Sequence, residues 1–404
     1  MACSGRSGWA ERVPLVGLLL LGCGRGTVLP AGAPPLAVLP FDFSGGLIYV
    51  RGAVNRDSAW LILDTGTSKT GVDREWAWTV GAVPVMAPGA APQAAETVAT
   101  ALVETIRLGG LELRNYPVAL YPLRAVSEAS GRPAQGFLGH DFLEQFTVEI
   151  DYRERRVRLY DPARYRYAGS GTVVPFASEG DHPLLRGHVT VAGRRPIPAR
   201  LLLDTGASGL CLILTLPFVE QHGLARDRLA IEAPIGTGLT GPLHGRIVRL
   251  QGLRLPGVTV AFPTTGLGGE RKGFLARTDL DGVLGNPLFE GSRLIVDYAR
   301  HRVIVEPGTG AGARCDYDMS GLRLTAAGPD LRRIMVDYVV PRSPAADVGI
   351  QVGDELLRVD GRRAGDVELS DVRRALRVDG AVRLLQLRRD ADTIQVTLTL
   401  RRLL

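Results

Sequence analysis

The chain has 404 residues, of which 45% are hydrophobic and 22% charged, a composition that supports packed cores and excludes a largely disordered polypeptide. Its net charge of +6 comes from dispersed arginines, since Lys69 and Lys272 are its lysines, and the sequence shows no basic patch typical of nucleic-acid binding. Four cysteines exclude a disulfide-dense scaffold, and no Cys/His spacing is typical of a zinc site. The 50 glycines and 26 prolines favour strands and turns.

The N-terminal segment has the pattern of an export signal. Arg6 and Arg12 precede a short apolar run at residues 13–21, too short to span a bilayer. The run leads to Cys23 and resembles the bacterial lipobox, in which the cysteine is lipidated and becomes the mature N-terminus. The resemblance implies a lipoprotein signal peptide at residues 1–22, lipidation of Cys23, a flexible tether over 23–35 and a periplasmic, lipid-anchored location. An ordinary secretory signal is the alternative.

The middle of the chain contains an internal repeat. Its second copy follows the first at an offset that grows from 140 to 146 residues, and the order of the matching segments is kept. The matching segments are 60–68 with 200–208, 107–113 with 249–255, 136–143 with 282–289, and 148–153 with 294–299. A duplicated domain explains this pattern better than four coincidences.

Both copies are predicted to be mainly β. Residues 59–63 and 199–203 are short apolar runs that end in a glycine-bearing turn, as buried strands do. Residues 294–298 and 301–305 predict a hairpin with its turn near Ala299 and Arg300. One helix is predicted at 216–222, with Gly223 placed as a C-cap.

Each copy contains an Asp-Thr-Gly turn directly after an apolar strand, beginning at Asp64 and at Asp204. The turns, together with the later hydrophobic-hydrophobic-Gly segments at 137–139 and 283–285, resemble the active-site elements of pepsin- and retropepsin-type aspartic peptidases. The resemblance implies two pseudo-two-fold-related lobes of double-ψ β-barrel type, at residues 36–165 and 170–310. It implies that Asp64 and Asp204 form a catalytic dyad without a cofactor or metal.

The residue types in these turns suit that chemistry. Two adjacent carboxyls cannot both ionise, so one holds a proton and polarises the scissile carbonyl while the other activates water. The threonines can hydrogen-bond across the dyad, the glycines allow close backbone approach, and the serines can hydrogen-bond the outer carboxylate oxygens. These supporting residues are Thr65, Gly66, Ser68, Thr205, Gly206 and Ser208.

Several alternatives accompany this interpretation. Each turn could be a plain β-turn, or the fold could be retained without catalysis. The resemblance also implies a Gly-rich flap over the substrate. The second copy offers residues 235–241 for it and the first copy a poorer match at 88–93 and 96–101, so the sequence leaves the identity of the flap open. His140, beside Gly139, could be a base, but a structural role is the stronger interpretation.

The C-terminal residues 316–404 break the repeat. Residues 339–361 resemble bacterial PDZ domains, small α+β modules that bind a chain terminus at a sheet edge. The resemblance places a carboxylate-binding loop at Gly321, Leu322, Arg323 and Leu324, and a groove-flanking helix at 369–376 with Ser370 as N-cap. The module could instead serve only as packing support.

Cys211 and Cys315 remain beside Cys23 after removal of the signal peptide. In an exported protein they could form a disulfide, although Cys211 lies in an apolar run where a buried free thiol is equally natural. The sequence leaves both options open.

These observations together predict a cell-envelope aspartic endopeptidase that acts on protein or peptide substrates, with substrate C-termini recognised by the PDZ module. We expect a monomer with an internal pseudo-dimer, attached to a membrane only by its N-terminal lipid, and no nucleic-acid partner. The alternatives are a non-catalytic peptide-binding or scaffold lipoprotein on the same fold, and a homodimer in which the copies pair between chains.

Overall fold

The structure is a computed structural model that describes residues 33–85, 99–179, 182–226, 229–308 and 315–404. Strands account for 48% of it and helices for 14%, and it contains a β-barrel, so the fold is mainly β as the sequence predicts. The predicted signal peptide, Cys23 and most of the predicted tether lie outside the described residues. Within those ranges, no helix combines the length and hydrophobicity needed to cross a bilayer.

The first repeat copy forms short strands joined by tight turns. Burial alternates along its first strand, because every second side chain faces the core. Its first helix is N-capped by Asp73, whose carboxylate accepts hydrogen bonds from the Glu75 and Trp76 N–H groups. The strands are β1 Ala37–Ser44, β2 Leu47–Val54, β3 Asp57–Leu63, β4 Gly71–Asp73, β5 Val83–Val85, β6 Thr100–Leu108, β7 Leu111–Tyr121, β8 Gly136–Leu138, β9 Thr147–Asp151 and β10 Arg156–Tyr160, and the helices are α1 Arg74–Thr79, α2 Arg124–Ser130 and α3 His140–Leu143.

The second copy follows a similar order, and its sixth and seventh strands form a long hairpin. Its strands are β11 Thr172–Pro175, β12 Ala177–Glu179, β13 His182–Thr190, β14 Ile197–Asp204, β15 Leu212–Leu214, β16 Ala230–Gly238, β17 Gly241–Arg249, β18 Gly252–Leu255, β19 Val258–Ala261, β20 Thr264–Gly268, β21 Gly282–Gly285, β22 Arg293–Asp297 and β23 Arg302–Glu306, and its α-helix is α4 Leu216–Gln221. Single 3₁₀ turns cover Phe274–Ala276, Asn286–Phe289 and Tyr298–Arg300.

The C-terminal module is a small α+β unit with its own apolar core. Its strands are β24 Leu322–Ala327, β25 Arg333–Val339, β26 Glu355–Val359, β27 Arg362–Arg363, β28 Val382–Arg389 and β29 Asp392–Thr399, and its helices are α5 Pro344–Asp347 and α6 Leu369–Ala375, with a 3₁₀ turn at Ala364–Asp366. The N-cap of α6 is Glu368 rather than the predicted Ser370, which lies inside the helix, and no side chain caps this end.

The described strands form three sheets. One has the order β11-β23-β22-β9-β10-β1-β2-β3-β8-β4-β7-β6-β5, the second β16-β17-β20-β15-β21-β14-β13-β18-β19 with β12 beside β13, and the third β24-β25-β26-β28-β29 with β27 beside β26. The first sheet contains strands of both repeat copies, so the predicted lobe boundary near residue 165 divides one continuous sheet. The limits of the lobes themselves stay a prediction.

The two copies meet at a pseudo-two-fold axis. Strand β9 pairs antiparallel with β22, its equivalent in the other copy, and Glu149 lies opposite Ile295. Because these two positions are related by the 146-residue offset of the repeat, the axis passes through their pair. A single cluster of buried apolar side chains runs through both copies. Each fully buried Leu, Ile or Val contributes about 1.5–3 kcal/mol to stability.

Two local predictions match the structure closely. Strands β22 and β23 form the predicted hairpin, and the 3₁₀ turn at Tyr298–Arg300 lies between them. Helix α4 occupies the predicted helical segment, and Gly223, one residue beyond its C-cap His222, has the left-handed φ of 57°.

Cys211 and Cys315 form a disulfide that closes a separation of 104 residues. The bond therefore ties the region after the second Asp-Thr-Gly turn to the segment that precedes the C-terminal module. The structure thus selects one of the two options that the sequence left open.

Candidate active site

Asp64 directly follows strand β3 and Asp204 is the last residue of strand β14, and each of these strands lies between two others. Strand β3 runs parallel to β8, and the Asp64 N–H donates to the Leu138 carbonyl at 3.1 Å. Strand β14 runs parallel to β21, which places Asp204 opposite Gly285. The hydrophobic-hydrophobic-Gly segments therefore brace the two turns, as the sequence analysis expects.

The two threonines lock the turns together across the axis. The Thr65 hydroxyl donates to the Leu203 carbonyl at 2.7 Å and accepts from the Thr205 N–H at 3.1 Å. The Thr205 hydroxyl makes the same pair of bonds, to the Leu63 carbonyl at 2.8 Å and from the Thr65 N–H at 3.1 Å. All four groups are buried, so these bonds fix the relative position of the two turns.

The arrangement brings the two carboxyls together. A Cβ atom added to Gly66 would lie 2.4–2.6 Å from the carboxyl atoms of Asp204, and one added to Gly206 would lie equally close to Asp64. Each glycine is therefore required because the opposite carboxyl occupies the space of a side chain. The two carboxyls also hydrogen-bond each other.

Backbone N–H groups hold the carboxylates in place. Asp64 Oδ1 accepts from the Gly66 N–H at 2.8 Å, and Asp204 Oδ1 accepts from Gly206 at 2.8 Å and Ala207 at 3.0 Å. The Thr67 N–H also bonds Asp64. The donors are backbone N–H groups one and two residues before the predicted serines, and within the described structure the hydroxyls of Ser68 and Ser208 are not among them.

Burial raises the pKa of Asp64 well above its ordinary value, and the nearby charge of Asp204 raises it further. Burial also raises the pKa of Asp204, but its backbone N–H donors and the hydrogen bond from Asp64 oppose that effect. The pair titrates as one unit with a shared proton.

The residues that follow the bracing glycines reach across the axis. His140 and Asn286 are equivalent in the repeat, and each meets a tyrosine of the other copy. The Tyr152 hydroxyl donates to Asn286 Oδ1, and the Asn286 amide donates to the Gly46 carbonyl at 2.8 Å. His140 contacts the edge of the Tyr298 ring and pairs with Glu144 at 3.1 Å. Its neighbours are those of a structural residue.

Tyr121 is a site residue that the sequence analysis did not identify. Its hydroxyl donates to the Lys69 carbonyl at 3.4 Å, close to the first turn, and burial raises its pKa with a further contribution from the charge of Asp64. Tyr121 ends the apolar strand β7, where the pattern predicts a core residue. No local signal separates it from such a residue, because its position beside the dyad depends on the pairing of β7 with β4.

The predicted flap at residues 235–241 lies in the hairpin of β16 and β17. Leu239, at the turn of the hairpin, packs against an apolar cluster of the first copy that includes Tyr121 and Phe137. The hairpin therefore reaches from one copy to the other. The first-copy flap candidate begins at residue 88, and its residues up to 98 lie outside the described residues.

The predicted carboxylate-binding loop is engaged within the chain. The Gly321 N–H donates to the Asp318 carboxylate at 2.8 Å, and the Leu322 N–H donates to the Ser320 hydroxyl at 3.0 Å. Arg323 donates to the Thr237 hydroxyl of the flap hairpin at 2.8 Å. Leu324 is buried in the module core. Peptide binding by these residues stays a prediction, and in this conformation their groups have other partners.

Residues 33–85, 99–179, 182–226, 229–308 and 315–404 contain no group of three His, Cys, Asp or Glu side chains arranged to hold a metal ion. The dyad itself consists of two carboxyls that hydrogen-bond each other.

Comparison with known proteins agrees with the geometry. Residues 50–142 match the aspartyl protease family, and residues 335–389 match the PDZ domain family. The chain thus contains an aspartyl protease domain and a C-terminal PDZ domain, a combination that supports a peptidase-like function. The second copy lies outside the protease match and is related to the first by the internal repeat.

No curated protein matches the chain significantly. One solved structure, described as the photosystem II D1 C-terminal processing protease, is 26% identical over 20% of this chain, with a TM-score of 0.19. The match covers 22% of that protein's own length.

Proposed function

We propose that the protein is an aspartic-type endopeptidase in which Asp64 and Asp204 activate water for the hydrolysis of peptide bonds. The observation that carries the proposal is the reciprocal pair of threonine bonds, which holds two buried carboxyls in hydrogen-bond contact. Packing alone does not require two carboxyls at the axis between the copies. Burying both in the ionised form lowers the stability of the fold unless they share a proton.

In the proposed reaction the ionised carboxyl of the Asp64–Asp204 pair takes a proton from a water molecule as that water attacks the scissile carbonyl. The protonated carboxyl of the pair donates to the carbonyl oxygen, which develops negative charge. The tetrahedral intermediate then collapses as a proton passes to the departing amine. No covalent acyl-enzyme forms, because neither carboxyl attacks the carbonyl carbon.

We further propose that the protein works in the bacterial cell envelope, attached through a lipid on Cys23. The lipobox-like sequence at residues 20–23 supports the anchor. The Cys211–Cys315 disulfide supports an oxidising compartment such as the periplasm. Since both aspartates belong to one chain, a monomer can supply the complete dyad.

The proposed substrates are proteins or peptides, and the PDZ domain would recognise their C-termini. Strand β24 is an edge strand, to which an extended peptide can add. In the structure, however, the N–H groups of Gly321 and Leu322 already have acceptors. Recognition would therefore require this region to change conformation.

The test is cleavage of a peptide library by the purified protein between pH 3 and 8, with and without pepstatin. We expect cleavage by the wild type, inhibition by pepstatin, and a loss of at least about a thousandfold in Asp64→Asn and in Asp204→Asn, because each removes one of two cooperating groups. Both variants should keep the far-UV circular dichroism of the wild type. Absence of cleavage by the wild type at every pH would favour a non-catalytic peptide-binding scaffold.

A further inference from the structure

The PDZ domain packs against two elements of the peptidase region that belong to different copies. Helix α2 of the first copy contacts β24, and it also contacts β16, the outer strand of the flap hairpin. The PDZ domain, α2 and the flap hairpin therefore form one continuous contact.

Helix α2 ends in the groove where a PDZ domain receives its peptide. Leu369 and Arg373 of α6 lie about one helical turn apart on the same face of the helix. Arg373 donates to the Leu324 carbonyl of the edge strand β24 at 2.6 Å and to the Ala129 carbonyl of α2 at 2.7 Å. A Cβ atom on Gly131, the C-cap of α2, would lie 2.7 Å from the Cβ of Leu369. A peptide could not add to this edge with α2 in place.

The same face of the PDZ domain holds the flap hairpin along its length. Near the turn of the hairpin, Arg323 donates to the Thr237 hydroxyl at 2.8 Å. Near its base, the Tyr338 hydroxyl donates to the Glu232 carbonyl at 2.7 Å. Between these points, Ile235 and Val340 share an apolar cluster. With Leu239 packed on the first copy, the hairpin is held at its turn, along one edge and at its base.

Part of this contact is energetically poor. Burial lowers the pKa of Arg323, whose Nη1 finds no hydrogen-bond partner among the described residues, although Asp337 pairs with its Nε. Burial also lowers the pKa of Arg373 to about 10. A buried guanidinium with an unsatisfied donor costs free energy, so the contact contains groups that gain hydration when it opens.

We propose that the PDZ domain is a latch that holds the flap hairpin closed, and that occupation of its peptide groove and closure of the flap exclude each other. Helix α2 couples the two, because it lies in the groove and also against β16. A ligand that favours the undocked state would then release the flap, since it binds only one of the two states. The consequence for catalysis rests on the proposed peptidase function.

The disulfide limits how far the latch can move. Cys315 lies three residues before Asp318, whose carboxylate binds the start of the PDZ fold. Cys211 fixes this point to the second copy. The PDZ domain can therefore rotate about the disulfide but stays beside the peptidase region. In the undocked state its effective concentration near the flap hairpin remains high, which favours docking again.

The test removes one latch contact from each side and measures amide hydrogen exchange of the full chain. Thr237→Val removes the acceptor on the flap without touching the PDZ fold, and Arg323→Ala removes the donor. Loss of this charge-assisted bond should speed exchange in residues 230–249 by about tenfold in both variants. Arg374→Ala is the matched control, because Arg374 is an arginine of the PDZ helix α6 that pairs with Asp371 within its own helix.

Unchanged exchange of the hairpin in both variants would overturn the proposal, as would faster exchange in Arg323→Ala alone, which would indicate local damage to the PDZ fold. Peptide cleavage is the second readout. Faster cleavage by both variants supports a latch, and slower cleavage overturns it in favour of a scaffold that keeps the flap functional. If the wild type and all variants fail to cleave, the proposed peptidase function fails, while the exchange measurement still decides whether the PDZ domain holds the flap.

Discussion

The two repeat copies are nearly identical at the pseudo-two-fold axis and differ away from it. The threonine bonds of the two turns agree within 0.1 Å, and each carboxyl contacts the glycine of the other turn. Strands β9 and β22 pair in a symmetric register. At the axis each group must fit its own equivalent, so a change on one side would need a matching change on the other.

Away from the axis this restraint is absent. The first copy has helix α2 where the second has the 3₁₀ turn Phe274–Ala276, and α2 contacts the PDZ groove. His140 of the first copy stands where the second has Asn286. The comparison shows that symmetry serves the dyad, whereas the outer elements of each copy are free to acquire separate partners.

The largest stability effect is expected at the threonines. Thr65→Val should lower the free energy of unfolding by about 3 kcal/mol, because it leaves the Leu203 carbonyl and the Thr205 N–H buried without partners. Thr205→Val should lower the free energy of unfolding by the same amount within about 0.5 kcal/mol. The double variant should lose less stability than the sum of the two single variants, because both substitutions disrupt the same contact between the two turns. Urea unfolding measures all three.

Thr79→Val is a suitable control for this series, because the Thr79 hydroxyl bonds only the Trp76 carbonyl within an exposed helix end. It should change stability by no more than about 0.5 kcal/mol. Unequal losses of stability in Thr65→Val and Thr205→Val would contradict equivalent roles for the two threonines.

Replacement of Tyr152 and of Tyr298 by phenylalanine should have different effects on stability. Tyr152→Phe should cost about 1–3 kcal/mol, because the buried Asn286 carbonyl loses its donor. Tyr298→Phe should be neutral or stabilising, because the buried Tyr298 hydroxyl has no hydrogen-bond partner within the described structure. Thermal unfolding of the two variants tests this difference. Equal losses of stability would show that the Tyr152–Asn286 and Tyr298–His140 contacts contribute equally and would contradict the prediction.

The shared proton of the dyad should also make stability depend on pH. The folded pair has raised pKa values, so its stabilisation is fully present below the unfolded value of 3.8 and is lost as pH rises through the folded values. Asp64→Asn removes the shared proton. Its stability relative to the wild type should therefore increase between about pH 4 and pH 8. Urea unfolding at several pH values checks the sign, and a decrease over this range would contradict a raised pKa.

The sequence was most informative where local pattern decides structure. The repeat, the Asp-Thr-Gly turns, the hairpin of β22 and β23, and helix α4 depend on short segments, and the structure agrees with them. The hydrogen bonds of Thr65 and Thr205 also follow from residue type, because a buried threonine beside a symmetric partner has few other acceptors.

The remaining features depend on contacts between distant segments. The Ser68 and Ser208 hydroxyls were expected at the carboxylates, but the turn geometry places backbone N–H groups there instead. The position of Tyr121 beside the dyad and the docking of α2 in the PDZ groove join segments far apart in the chain. No periodicity or motif in either segment encodes such a pairing.

The most direct test of the shared dyad is a mixing experiment with Asp64→Asn and Asp204→Asn proteins. If both carboxyls of a site come from one chain, the wild type cleaves the peptide library, each variant fails, and an equimolar mixture of the two variants also fails. Cleavage by either variant alone would contradict the dyad. Recovery of activity in the mixture would show that the site is assembled between two chains and would contradict the intramolecular arrangement.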